Sequence, residues 1–168
     1  MPVTNKEWAD AFARQARSDM AVCELLLPIN KLERCHKLHY LQMACEKIAK
    51  AYRLRDMGMT IEETESSHKA FSKFIEGHFK SPSVKRQYAG RKELLRNTER
   101  FARSLAEDIE KLAPAIDREA TPQNAEYPWE DSGKIICPCD HDFSRLSRLD
   151  TPEGENFLDI VKVDFLDY

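Results

Sequence analysis

Leu38 to Met57 reads LHYLQMACEKIAKAYRLRDM, and no other stretch of the chain states its secondary structure so plainly. Leu38, Leu41, Cys45, Ile48, Ala49 and Tyr52 recur at the spacing of a helix that buries one face, and neither Gly nor Pro interrupts the run. Ala44 and Ala51 widen that face with side chains small enough to admit a neighbouring helix, while Glu46, Lys47, Lys50 and Arg53 fall on the solvated side. The spacing predicts the central helix of a helical protein.

Upstream, Thr4-Asn5-Lys6-Glu7 has the Thr-x-x-Glu form of a capping box, and Trp8, Phe12, Ala16, Met20, Cys23 and Leu27 continue from it as one stripe. Pro28 pushes the residue before it out of the helical region, so the first helix is expected over 5–27. A turn at 28–30 leads into the second helix, 31–57, which ends at Gly58; so short a connection makes the two antiparallel neighbours. Residues 59–65 read as acidic and irregular. Ser66 or Ser67 then caps a third helix, which carries Ala70, Phe71, Phe74 and Ile75 and stops at Gly77. Residues 80–90, with Ser81-Pro82-Ser83, read as a loop, and 91–113 as a long fourth helix halted by Pro114. Beyond it come a linker at 121–124, the rigid trio Tyr127-Pro128-Trp129 and a short extended piece at 134–137. Thr151-Pro152-Glu153 opens a last helix over 152–166 that buries Phe157, Leu158, Val161 and Phe165.

These elements predict an all-α protein, a four-helix up-and-down antiparallel bundle over 1–117. An acidic C-terminal extension, 118–168, docks on it to make a single domain, 1–168. The length of 168 residues suits one domain. Apolar residues at 42% and charged residues at 33% are ordinary for a globular protein, and no apolar run approaches the ~20 residues of a membrane span. The N-terminal MPVTNKEWAD lacks the apolar core of a secretory signal. Five cysteines at irregular spacing fit reduced thiols better than a disulfide framework. A cytoplasmic location and no membrane contact are the resulting expectations. The net charge of −3 conceals a division: residues 121–168 hold four Lys/Arg and eleven Asp/Glu, leaving the body mildly basic. Either the tail folds over a basic surface or that surface meets an anionic partner.

Within the second helix, Gln42-Met43-Ala44-Cys45-Glu46-Lys47-Ile48-Ala49-Lys50-Ala51 resembles the Q-x-A-x-E-K-x-x-K-A signature of HEPN domains. Ser67-His68-Lys69 is similar to the Thr-His-Asp/Asn segment that opens the third helix in many members, and the resemblance covers about 5–112. It implies a four- or five-helix antiparallel bundle that dimerises and that serves in toxin-antitoxin or defence systems. There it acts as an RNA-cleaving effector, beside a nucleotidyltransferase partner, or as a non-catalytic module. Nucleolytic members carry Arg-x(4–6)-His near the start of the last core helix, and here 91–103 holds arginines but no histidine. Without an imidazole there is no obvious general base for a 2′-hydroxyl. The string with that spacing, Arg34-Cys35-His36-Lys37-Leu38-His39, lies on the second helix instead, and it makes Arg34, His36 and His39 the alternative catalytic candidates.

On the fourth helix, Lys92, Arg96, Arg100 and Arg103 fall within about 80° of arc at 100° per residue, opposite Leu94, Leu95, Phe101, Leu105, Ile109 and Leu112. Residues 80–103 hold eight basic against two acidic side chains, a footprint for RNA phosphates, with Tyr88 available to stack on a base; the competing reading is a solvated face. Cys137, Cys139 and His141 alternate as ligands would along an extended strand, but zinc needs a fourth donor. There is no Gly-rich phosphate loop and no adjacent nucleophile and base, so no cofactor is expected. The sequence therefore favours a non-catalytic module, expected to be a homodimer, that binds RNA or a protein partner. A metal-independent endoribonuclease and a zinc-stabilised interaction protein are the alternatives.

Overall fold

The computed structural model describes residues 3–66, 70–116 and 119–166, and for 164–166 the backbone alone. The protein is mostly helical, with a small two-stranded antiparallel sheet near its C-terminus. Seven α-helices are present among the described residues: α1 Asn5–Leu26, α2 Arg34–Asp56, α3 Ile61–Glu65, α4 Phe71–Lys80, α5 Pro82–Gln87, α6 Lys92–Glu110 and α7 Pro152–Leu166. Strands β1 Trp129–Asp131 and β2 Lys134–Ile136 form the sheet, and short 3-10 segments follow at Pro138–Asp140 and Ser144–Asp150.

α1 begins where its cap predicts. Thr4 accepts from the Glu7 amide while the Glu7 carboxylate accepts from the Thr4 amide at 2.8 Å, closing the capping box. α2 starts at Arg34, later than the sequence suggests, because no side chain caps its N-terminus and residues 28–33 form turns. The two helices run antiparallel, as three links show: Asn5 Nδ2 donates to Met59 O, Lys47 pairs with Asp19, and Cys23 Sγ contacts Lys37 O. This is the most extensive helix pairing in the molecule. Ala9, Ala13, Ala16, Met20 and Cys23 are buried on α1, as are Ala44, Cys45, Ile48 and Ala51 on α2, a set of small side chains that lets the backbones approach. The expected α1 stripe is rotated accordingly, so Trp8 and Leu27 reach the surface.

Three stretches differ from the sequence reading. Residues 61–65 are helical because Thr60 and Glu63 form a second capping box. The expected loop at 80–90 holds α5, since Ser81 accepts from the Val84 amide and Pro82 occupies the first turn, where its missing N–H is harmless. α4 runs through Gly77 to Lys80, and a Cβ at Gly77 would lie 2.8 Å from the Tyr52 hydroxyl, so the Tyr52 side chain packs closely over the glycine. The opening of α4 expected at Ser67-His68-Lys69 lies outside the described residues. The extended piece expected at 134–137 proves to be half of a hairpin, β2, paired with β1 through a two-residue turn in which Ser132 and Gly133 both have positive φ.

α4 also packs antiparallel to α6, and here a carboxylate supplies what the local sequence lacks. Ala70, at the N-cap of α4, offers no side-chain acceptor. Glu110 fills the gap from α6, its Oε1 accepting from the Ser72 amide at 2.9 Å. Burial pushes the Glu110 carboxyl above its ordinary value of 4.5, against the lowering effect of the Ser72 and Phe71 amides. A raised folded pKa means that the native state holds the proton more tightly than the unfolded chain. This contribution is complete below 4.5 and is lost as pH rises through the folded value. Glu110→Gln is therefore expected to flatten that part of the stability profile in urea melts between acid and neutral pH. Glu110→Ala leaves the amides without an acceptor and should cost about 1–3 kcal/mol at every pH.

The C-terminal extension is tied into the same core. Phe157, Leu158 and Val161 of α7 are buried in the cluster that includes Ile48, Phe71 and Leu105, and Phe157 meets Phe71 edge-on at 6.2 Å. Arg148 reaches α6, where it donates to Ser104 and Asp108 and lies over the Phe101 ring. The side chain of Phe165 is outside the described residues. No helix among the described residues is long and apolar enough to cross a membrane.

Candidate nucleic-acid interface

α6 buries Ala102, Leu105, Ala106 and Ile109, all in its second half. Its first half is solvated, with Leu94 48% exposed where the sequence places it on the apolar side. Lys92, Arg96, Arg100 and Arg103 are all exposed along this helix. The side chains of Lys92 and Arg96 make no hydrogen bond or ion pair among the described residues. Arg100 donates to the Asn97 side chain at 3.1 Å, and Arg103 stands 4.0 Å from Glu76, which also pairs with Lys80. Arg96, Arg100 and Arg103 line an open groove of about 390 Å³ together with Glu99, Ser104 and Glu107. Glu99 lies among the three arginines, and Glu107 closes the C-terminal end of the groove.

The ring of Tyr88 is already covered, because the Arg91 guanidinium lies 5.6 Å from its centroid. The acidic extension brings α6 a cation, Arg148, and no carboxylate of that extension pairs with Lys92, Arg96, Arg100 or Arg103 among the described residues. The basic face is left open to solvent. Comparison with protein families, curated proteins and solved structures finds no match to this chain. Its chemistry must be read from its own residues.

Arg34, His36 and His39 are not joined by any hydrogen bond, ion pair or ring contact among the described residues. Arg34 is engaged elsewhere: it donates to Asp150 Oδ2 and to Leu146 O, both at 2.7 Å, fastening the 144–150 segment to the start of α2. His36 is exposed. His39 is half-buried, with Nδ1 3.4 Å from Glu126 Oε1 and its ring edge-on to Tyr40. Glu126 is held there by Asn124, whose buried amide accepts from the Glu126 and Tyr127 N–H groups and donates to Pro122 O and Tyr127 O. This carboxylate escapes sequence reasoning because it lies far from His39 along the chain and only the tertiary fold joins them.

Of the residues read as zinc ligands, Cys137 and Cys139 stay together and His141 separates from them. Residues 138–140 form a tight turn instead of a strand, which carries Asp140 toward the two thiols, so that donor atoms of Cys137, Cys139 and Asp140 all lie within 4.8 Å of one another. His141 turns away, its ring edge-on to Trp129 at 5.2 Å and to Phe143 at 4.7 Å.

Proposed function

We propose that this chain is a HEPN-like helical module without catalytic activity that binds RNA along Lys92, Arg96, Arg100 and Arg103. The observation that carries the reading is the exposed cationic half of α6, where Lys92 and Arg96 have no protein partner among the described residues. Phosphates attract such groups regardless of base sequence, so binding is expected to be sequence-tolerant and weakened by salt. The four-helix, up-and-down arrangement belongs to the proposal: α1 with α2 and α4 with α6 run antiparallel, and α2 carries the signature residues. Titration of a labelled single-stranded RNA is the test. The Arg96→Glu/Arg100→Glu double variant should bind at least about tenfold more weakly than the wild type at moderate salt. Equal affinity would refute the reading.

A ribonuclease built on Arg34, His36 and His39 is the second reading, favoured by one observation. Glu126 Oε1 stands 3.4 Å from His39 Nδ1, where a carboxylate orients an imidazole that acts as general base. It is the weaker of the two because the Arg34 guanidinium is committed to Asp150 and Leu146. RNA incubated with the protein in EDTA is expected to stay intact, as it should with His39→Ala. Cleavage by the wild type that the His39→Ala variant abolishes would reverse the ranking.

A further inference from the structure

Cys23, Cys35 and Cys45 are buried, and burial raises all three thiols above their ordinary value, Cys23 to about 11. Cys137 is half-buried and Cys139 exposed, and their sulfurs lie 2.8 Å apart, closer than ordinary van der Waals contact. The local chain accounts for this. Cys137 is extended, with φ −90° and ψ 135°, Pro138 enters the turn with its φ fixed by the ring, and Asp140 N donates to Cys137 O at 3.0 Å. Two side chains that would stand parallel on a strand are folded onto each other.

A disulfide requires a separation near 2.05 Å, so about 0.8 Å of further approach joins the pair. Zinc requires the opposite movement, since two thiolates at ~2.3 Å from a tetrahedral ion stand about 3.8 Å apart. The nearest third donor is the Asp140 carboxylate, and His141 is packed against aromatic rings. We propose that Cys137 and Cys139 are a thiol-oxidation site, which a hydroperoxide converts to an intramolecular Cys137–Cys139 disulfide and a dithiol restores.

The Cys137 thiolate attacks one peroxide oxygen. The O–O bond breaks, hydroxide leaves and takes up a proton from solvent to become water, and Cys137 becomes the sulfenic acid. Cys139 sulfur then attacks Cys137 Sγ; the S–O bond breaks, and the departing hydroxide takes the Cys139 proton to form a second water. The peroxide is reduced by two electrons and the two thiols are oxidised by two. The contact already places the Cys139 sulfur beside Cys137 Sγ, so Cys139 suits the resolving role once Cys137 is oxidised. Reduction reverses the bond: one thiolate of a dithiol opens the disulfide, and its second thiolate releases the mixed disulfide as a cyclic product.

The test treats full-length protein with hydrogen peroxide, blocks remaining thiols with N-ethylmaleimide and maps the peptides by mass. The peptide spanning 137–139 is expected to lose about 2 Da, two hydrogens, and to regain them with dithiothreitol. In Cys139→Ser the same treatment is expected to leave a Cys137 sulfenic acid that dimedone traps. Three results would overturn the proposal: a bridge from Cys35 to Cys137, a cross-link between chains as the main product, or one equivalent of zinc that binds the pair and shields it from peroxide. Unchanged 137–139 thiols at a peroxide dose that oxidises free cysteine would do so as well.

Discussion

Lys47→Met is expected to lower stability by about 3 kcal/mol, because it leaves a carboxylate buried without its counter-charge. Asp19 on α1 is 4% exposed, and Lys47 of α2 pairs with its Oδ2 while Gln15 Nε2 donates to Oδ1 at 3.0 Å. The neighbouring polar residues of α2 are bound in a similar way. Gln42 donates to Glu46 at 2.8 Å, and Lys50, only 9% exposed, pairs with Glu46 at 2.7 Å and stands 6.0 Å from the Phe12 ring centroid. Gln42 and Glu46 bind within α2, whereas Lys47 reaches α1 through Asp19 and Lys50 through the Phe12 ring. Urea unfolding of Lys47→Met and of Asp19→Leu/Lys47→Met separates the two contributions. The double variant removes both charges and should recover at least half of the loss. A neutral single variant would mean that Asp19 finds water instead of low dielectric.

Gly154→Ala is expected to cost about 2 to 4 kcal/mol and lower the melting temperature by about 10 °C, measured calorimetrically. Gly154 sits in the first turn of α7, and a Cβ there would fall 2.2 Å from Arg148 O and 2.6 Å from Leu149 Cα. Those are backbone atoms of the preceding 3-10 segment, so no rotamer change relieves the overlap. The segment is itself anchored by Arg148 to Asp108 and by Arg34 to Leu146 O, which limits its retreat. Thr151 caps the same turn by accepting from the Gly154 amide at 3.2 Å. A wild-type melting curve for Gly154→Ala would show that α7 is free to shift.

The long helices could be read from the sequence because each repeats its apolar period over several turns and carries its own stop signal, as Pro28 does after α1. The short helices carried signals just as physical, Thr60-x-x-Glu63 and Ser81-Pro82, but one or two turns give periodicity nothing to act on. Ser132-Gly133 between Trp129-Glu130-Asp131 and Lys134-Ile135-Ile136 likewise had the form of a hairpin turn. The cationic face of α6 could be read because four positions on one helix define it. Glu126 beside His39, Glu110 at the start of α4 and Asp19 beneath Lys47 could not, since each acts on a residue in another element. Local pattern also failed at Leu94, because the first half of α6 extends beyond the core that the period presumes.

The most direct test of the RNA-binding reading is the dependence of affinity on salt. Each neutralised single-strand phosphate contributes a slope of about −0.7 in log affinity against log salt, so four contacts predict about −3, falling to roughly −1.5 in Arg96→Glu/Arg100→Glu. A slope near zero, or one that the double variant leaves unchanged, would contradict a phosphate-binding face on α6.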